Sequence, residues 1–416
     1  MLRLAASKLP VLSADTRHAQ LALAARRLAG SSLRPAIGSA LRSAVAGPEN
    51  PYRAHEIGWQ RYAADLEKFR EHPALTTSLI VKAPGPGGEP GVLYVSFEYN
   101  WLRILKQARW KALLRDYVLV GASSWSPTDF AVLASLVGAS AHPVFIGVSN
   151  MADMAPYRMF GDAIVPLPIM ACDWIDPSLY APLPKADRDI DILMVAHWGR
   201  FKRHYLLFEA LKRMSPSLRV VLVGRDTEGR TASDMVAEAR RVGCRQHIET
   251  FTRIPNAEVS KLQARAKVAM VLSAREGSCV AVTESMCADT PVALMRGAVV
   301  GAAAHINDDT GAFLDRPEMA RQLSALIERH ASLQPRRWIE ANVNARLSSE
   351  RLNAALATHP ALRGRWKTDS APMRWVYVPT YLRDADHEAF SPLVREFEPR
   401  YGMTLVEYPR TPGMVG

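Results

Sequence analysis

Cysteine is scarce in this chain, and what there is carries no pattern. The four residues Cys172, Cys244, Cys279 and Cys287 show no C-x-x-C or zinc-like spacing, which excludes a disulfide framework or metal finger and fits a reducing cytosol. Long apolar runs are missing too. The nearest, 131–148, is interrupted by Gly138, His142, Pro143 and Gly147. It reads as helix, turn and buried strand, and falls short of the ~18 uninterrupted apolar residues of a membrane span. Acidic residues are in deficit, 41 against 52 Lys and Arg, for a net charge of +11. An anionic partner follows, and charge alone leaves open nucleic acid, phospholipid headgroups or a diphosphate-bearing small molecule. Arg374-Trp375-Val376-Tyr377 interleaves cations with aromatics, but no recognised module surrounds it, so no nucleic-acid partner is expected.

What is present begins with a basic segment. Residues 1–46 hold seven Arg or Lys against one Asp and are rich in Ala, Leu and Ser. Three readings stay open: a cleavable targeting segment, a basic amphipathic helix on an anionic membrane surface, and a plain basic extension. Pro and Gly punctuate 47–51 and 84–91, and order is expected to tighten after Gly91. From there the pattern predicts strands near 92–97, 117–120 and 143–148, with helices near 102–114 and 130–137. The Pro-rich stretch 166–184 reads as an interdomain linker. A second block repeats the rhythm, with strands near 190–196, 218–223, 247–251, 268–272 and 292–294, and helices near 205–214, 232–242, 257–264, 278–288 and 317–330. An amphipathic stretch at 338–356 and a tail with a strand-like 375–378 and a helix-like 388–397 follow. Strand alternating with helix means parallel sheets covered by helices, and two such sheets facing each other place a ligand cleft at the carboxyl ends of their strands.

The chemistry concentrates at REGSCVAVTESMCADTPVAL, 275–294. Glu276 closes the loop after a predicted strand, and Gly277 and Ser278 open a predicted helix whose unpaired N–H groups and dipole favour a phosphate. Glu284 lies a little under two turns further on, roughly 10 Å along the axis. Two carboxylates can therefore bracket one diphosphate and accept hydrogen bonds from sugar hydroxyls on either side. A complementary cation is offered by His197-Trp198-Gly199-Arg200-Phe201-Lys202-Arg203-His204, between strand and helix at the start of the same block. Ser124 and Trp125 follow the strand near 117–120 and are candidates for acceptor contact. Asp187 and Asp189, with Asp384 and Asp386, are the carboxylate pairs a hard cation could use. Both read as incidental, and no metal is expected.

Residues 195–210, 220–224, 273–294 and 306–314 (INDDTGAFL) resemble the successive motifs of the donor domain in family 4 of the retaining glycosyltransferases, the E-x7-E pair among them. The resemblance covers about 187–330. It implies a GT-B fold, two Rossmann-like doubly wound parallel-sheet domains facing a cleft, here with a basic helical N-terminal extension. The boundaries expected are 1–78 for the extension, 79–186 for an acceptor-side domain and linker, 187–331 for the nucleotide-sugar donor domain, and 332–416 for a helix and tail. By the same resemblance Glu276 contacts the transferred sugar as the catalytic residue and Glu284 the ribose. Arg200 and Lys202 hold the diphosphate, and Gly224, Gly277, Ser278 and Cys279 complete the donor site. The activity implied is metal-independent, hexosyltransferase-type transfer with retention, from a nucleotide-diphosphate sugar to a glycan or lipid-linked acceptor. Its setting would be polysaccharide, lipopolysaccharide or glycolipid synthesis, in the cytoplasm or peripheral to the membrane. A non-catalytic GT-B-like module binding nucleotide or glycan is the alternative. Asp289 departs from the family, which has Gly before the Thr-Pro-Val turn, and Phe97-Glu98-Tyr99-Asn100-Trp101 replaces its Gly-rich loop.

Overall fold

A computed structural model describes residues 69–407 apart from 70, 127–131, 134–135 and 138. The basic segment 1–46 and half of the helix predicted near 130–137 lie outside the described residues. The chain divides into two compact units, the first taking residues up to Ala171 and again Ser348–Tyr408, the second Cys172–Leu347. Parallel sheets with helical crossovers build both, so the expectation of two parallel-sheet α/β domains is borne out. Among the described residues no helix is long and apolar enough to cross a membrane.

In the first unit the chain runs through β1 (Ala74–Leu75), β2 (Ser78–Lys82), β3 (Gly91–Ser96), β4 (Tyr117–Ala122), β5 (Val144–Gly147) and β6 (Ile164–Leu167). β2 to β6 form one sheet in sequential order, β2 antiparallel to β3 and the rest parallel. Helices α1 (Glu98–Lys106) and α2 (Trp110–Asp116) make the crossover from β3 to β4, where one helix near 102–114 was expected. β6 lies inside the predicted linker and carries Pro166. Its position at the sheet edge accommodates a residue with no N–H to give a neighbour.

The second unit contains β7 (Ile190–Val195), α3 (His204–Leu211), β8 (Arg219–Gly224), α4 (Ala232–Val242), β9 (His247–Thr252), α5 (Asn256–Arg265), β10 (Ala266–Val271), α6 (Val280–Cys287), β11 (Val292–Met295), β12 (Gly311–Leu314), α7 (Met319–Arg329) and α8 (Pro335–Asn342). Its six strands are all parallel, in the order β12-β11-β10-β7-β8-β9. The inner strands β7, β8, β10 and β11 are largely buried, which is why they read as mainly apolar runs, while the edge strand β9 (HIETFT) stays partly exposed. Val220 and Leu222 pack with Leu207, Phe208, Met235 and Leu323 on one face. Val221 and Val223 pack with Val259 and Leu262 on the other.

The chain returns through α9 (Ala345–Thr358), the hairpin β13 (Met373–Val376) and β14 (Val378–Tyr381), α10 (Asp384–Tyr401) and β15 (Thr404–Leu405). β15 pairs in parallel with β1, so the tail expected as a separate segment belongs to the first unit. The amphipathic stretch near 338–356 is two helices rather than one. Val343 is extended, and the Asn344 carboxamide accepts the Leu347 N–H at 3.0 Å, starting α9 anew.

Candidate nucleotide-sugar site

In the second unit the strand order reverses between β7 and β10, and chain crossovers leave those two strands in opposite directions. At such a switch point the loops beyond the carboxyl ends diverge and leave a crevice. The loop after β7 holds 197–203, and the loop after β10 holds Ser273–Cys279.

The two loops are joined by charge. Lys202 Nζ bonds Glu276 Oε1, and Ser273 Oγ donates to the same oxygen at 2.5 Å. Both side chains are largely withdrawn from water, 16% and 10% exposed, so the pair is weakly screened. Glu276 Oε2 takes no hydrogen bond among the described residues. A carboxylate fixed through one oxygen and open at the other is prepared to accept a ligand hydroxyl.

Each loop ends in a residue forced into the left-handed region. Arg203 stands at φ 59° before α3, and Cys279 at φ 60° before α6. Neither is glycine, and each placement costs about 1 kcal/mol or more. Cys279 shortens the predicted helix, which begins at Val280 instead of Ser278. The first α6 amides are those of Val280 and Ala281, and both residues are partly exposed. Glu276, Gly277 and Ser278 are buried below them.

Glu284, in the middle of α6, is half-buried. Burial pushes its carboxyl up to about 7, against hydrogen bonds to Gln263 and Tyr180 that favour the ionised form. Cys279 is pushed up to about 12, first by burial and then by Glu276, and is a thiol, not a nucleophile.

The remaining expected site residues divide. Arg200 has an exposed side chain, and its backbone N–H donates to Glu228 Oε2 at 3.0 Å. His197, named from the sequence only at the head of the basic run, is half-buried on this loop beside the fully buried Trp198. Its ring interacts with Lys202 and Glu276 and meets Phe201 edge-on at 5.0 Å between centroids. Gly224 is needed for packing, since a Cβ there would lie 2.4 Å from the Ala196 carbonyl oxygen and 2.9 Å from the Trp198 ring. In the first unit Ser124 is tied to Glu98, which accepts its Oγ–H at 2.6 Å and its N–H at 3.2 Å, while Trp125 is 40% exposed.

Asp289 is accounted for. It stands at φ 60°, where glycine is the unstrained choice, and its carboxylate binds Lys185 Nζ at 2.8 Å and accepts the Arg336 N–H at 3.2 Å. Of the carboxylates considered for a metal, Asp189 is paired with Arg219 and Arg265, and Asp386 with Arg383. Among the described residues one further group has ligating atoms close together, Cys172, Asp173 and His305, all buried and mutually within 4.8 Å. There His305 Nε2 bonds Asp173 Oδ1 at 2.8 Å, and the Cys172 thiol donates to the same oxygen at 3.5 Å, so the cluster satisfies itself.

Residues 178–344 match the family model described as glycosyl transferases group 1. The solved structures to which the chain is similar include S. aureus TarM in complex with fondaparinux, alpha-GlcNAc-glycerol and UDP, at 12% identity over 61% of this chain and 53% of that one, with a TM-score of 0.48. A sucrose-phosphate synthase from Thermosynechococcus elongatus is 16% identical over 63% and 71%, TM-score 0.47. Anabaena Alr3699/HepE in complex with UDP and glucose is 15% identical over 64% and 77%, TM-score 0.49. The chain spans about half the length of the TarM chain. None of the curated proteins matches it.

Proposed function

We propose that this chain is a retaining, hexosyltransferase-type glycosyltransferase of GT-B architecture. It moves a sugar from a nucleotide-diphosphate donor to a hydroxyl of a glycan or lipid-linked acceptor. The observation that carries the reading is Glu276: buried, fixed through Oε1 by Lys202 and Ser273, open at Oε2, and placed where the β7 and β10 loops diverge. The match of 178–344 to the group 1 family model supports it over the same residues.

In this reading the diphosphate lies between the Lys202 ammonium and the first amides of α6. The bond from the anomeric carbon to the diphosphate oxygen breaks, and its electron pair leaves on the diphosphate. The acceptor oxygen bonds to the same face of the anomeric carbon, and its proton leaves with the diphosphate. Lys202 and the α6 dipole stabilise charge as it develops on the leaving group, the kind of fixed field that contributes most to such steps. Glu276 Oε2 accepts from a hydroxyl of the transferred sugar and sets its orientation. Glu284, once ionised, accepts from the ribose.

The test combines binding and turnover. A panel of UDP, GDP, ADP and dTDP is expected to raise the melting temperature in the presence of one member, since a ligand of the folded state stabilises it by RT ln(1 + [L]/Kd). Glu276→Ala is expected to abolish transfer from the matching sugar nucleotide. Full turnover by that variant contradicts the assignment, and nucleotide binding without transfer to any acceptor favours a binding module instead.

A further inference from the structure

His197 belongs to no role assigned so far, yet its ring is oriented by the loop that carries Lys202. Its Nδ1 accepts the Gly199 N–H at 3.0 Å, so the neutral ring carries its proton on Nε2. Nε2 has no partner among the described residues, and the residue is half-buried. Phe201 holds the ring from one side. Close packing also fixes the turn, because a Cβ on Gly199 would come within 2.6 Å of the ring.

From this geometry we infer that His197 Nε2 is a proton-linked donor to the diphosphate of the ligand, so that nucleotide binding takes up a proton at this ring. The inference rests on the function proposed above and adds a titrating group to it.

The charges around the ring give the sign. Lys202 on the same turn and Arg225 after β8 face it with positive charge, and Glu276 and Glu228 with negative, while His204 at the start of α3, held neutral by burial, adds no charge. Burial first, and the cations next, hold the free imidazole below its usual value, so in the empty site it is neutral near pH 7. A diphosphate brings negative charge to the vicinity of Nε2, favours the imidazolium, and raises that value. Between the free and bound values the ligand affinity falls as pH rises, by up to about tenfold per pH unit.

Calorimetry of the full chain in two buffers of different ionisation enthalpy reads the proton directly. The probe is whichever of UDP, GDP, ADP and dTDP binds tightest, measured from pH 5.5 to 7.5. Wild type is expected to take up more proton per nucleotide than H197Q. H197R is expected to bind with the wild-type affinity at low pH and without the extra uptake. Subtraction of H197Q removes the titrations of the nucleotide and of Glu284. The His197 ring resonance of the wild type provides a second measure that needs no variant, and its titration should move to higher pH on adding nucleotide. Tight binding with equal uptake in wild type and H197Q, or an unmoved ring titration, overturns this inference and leaves the proposed function standing. No binding by any of the four nucleotides overturns both.

Discussion

The carboxyl ends of the two sheets treat their acids differently. In the first unit strand order is sequential, and Glu98, 2% exposed after β3, is closed off by the Ser124 hydroxyl and N–H from the neighbouring loop. In the second unit the order reverses, and Glu276, 7% exposed after β10, is held through one oxygen only. Burial and ion pairing alone do not distinguish a site from a brace. The distinction lies in whether the acceptor capacity of the acid is exhausted and whether the surrounding loops diverge.

The sharpest break in this comparison is to remove each acid. Glu276→Ala should lower sugar transfer by about 10²-fold or more, measured at saturating donor with melting and circular dichroism unchanged in kind. Glu98→Ala should instead cost about 1–3 kcal/mol, because the Ser124 N–H and hydroxyl lose their buried acceptor, seen as a lower urea midpoint with nucleotide affinity intact. A Glu98 variant that folds normally but loses nucleotide binding would reverse the roles assigned to the two acids.

A second contrast is in pH. Glu284 is raised to about 7 in the fold against an ordinary 4.5. Below the ordinary value both states are protonated and the group contributes nothing. As pH climbs from about 4.5 to 7 the unfolded chain releases its proton first, so folded stability declines, and above that window the loss is constant. Glu284→Gln should therefore gain stability relative to wild type as pH rises through this window, read from melting temperatures in matched buffers. A difference independent of pH contradicts the buried setting of this carboxyl.

The smallest effects concern the loop ends. Cys279→Gly should stabilise by about 1 kcal/mol or less, since glycine accepts the left-handed backbone that cysteine resists. Arg200→Ala should change nucleotide affinity by no more than about twofold, as expected of an exposed side chain with little charge held in place. A large loss of affinity on Arg200→Ala would restore it to the diphosphate site.

Most of the second unit was legible because its inner strands are covered on both faces and announce themselves as mainly apolar runs, such as VVLVG at 220–224. Ala232–Val242 was read to its ends, its start marked by the Thr231–Asp234 capping box and its close by Gly243 at φ 96°. What escaped was short or at an edge. β12 has four residues, and β6 hides behind Pro166. At the site Lys202 and Glu276 were visible as a cation and an acid in equivalent loops. The role of His197 was not, because the Gly199 N–H that orients its ring is a property of the folded turn. Ser273, three residues before Glu276, was the available signal for the second donor on Oε1.

The pairing of β1 with β15 has a consequence for biosynthesis. All the strands of the second unit have been translated once Leu347 emerges, and its two ends already meet where the Ala345 N–H reaches the Ile175 carbonyl at 2.7 Å. Ala74 and Leu75, made far earlier, must wait for Thr404 and Leu405 to be made before they can pair. During synthesis the inserted unit is thus complete in sequence while the older portion still lacks the strand that pairs with β1.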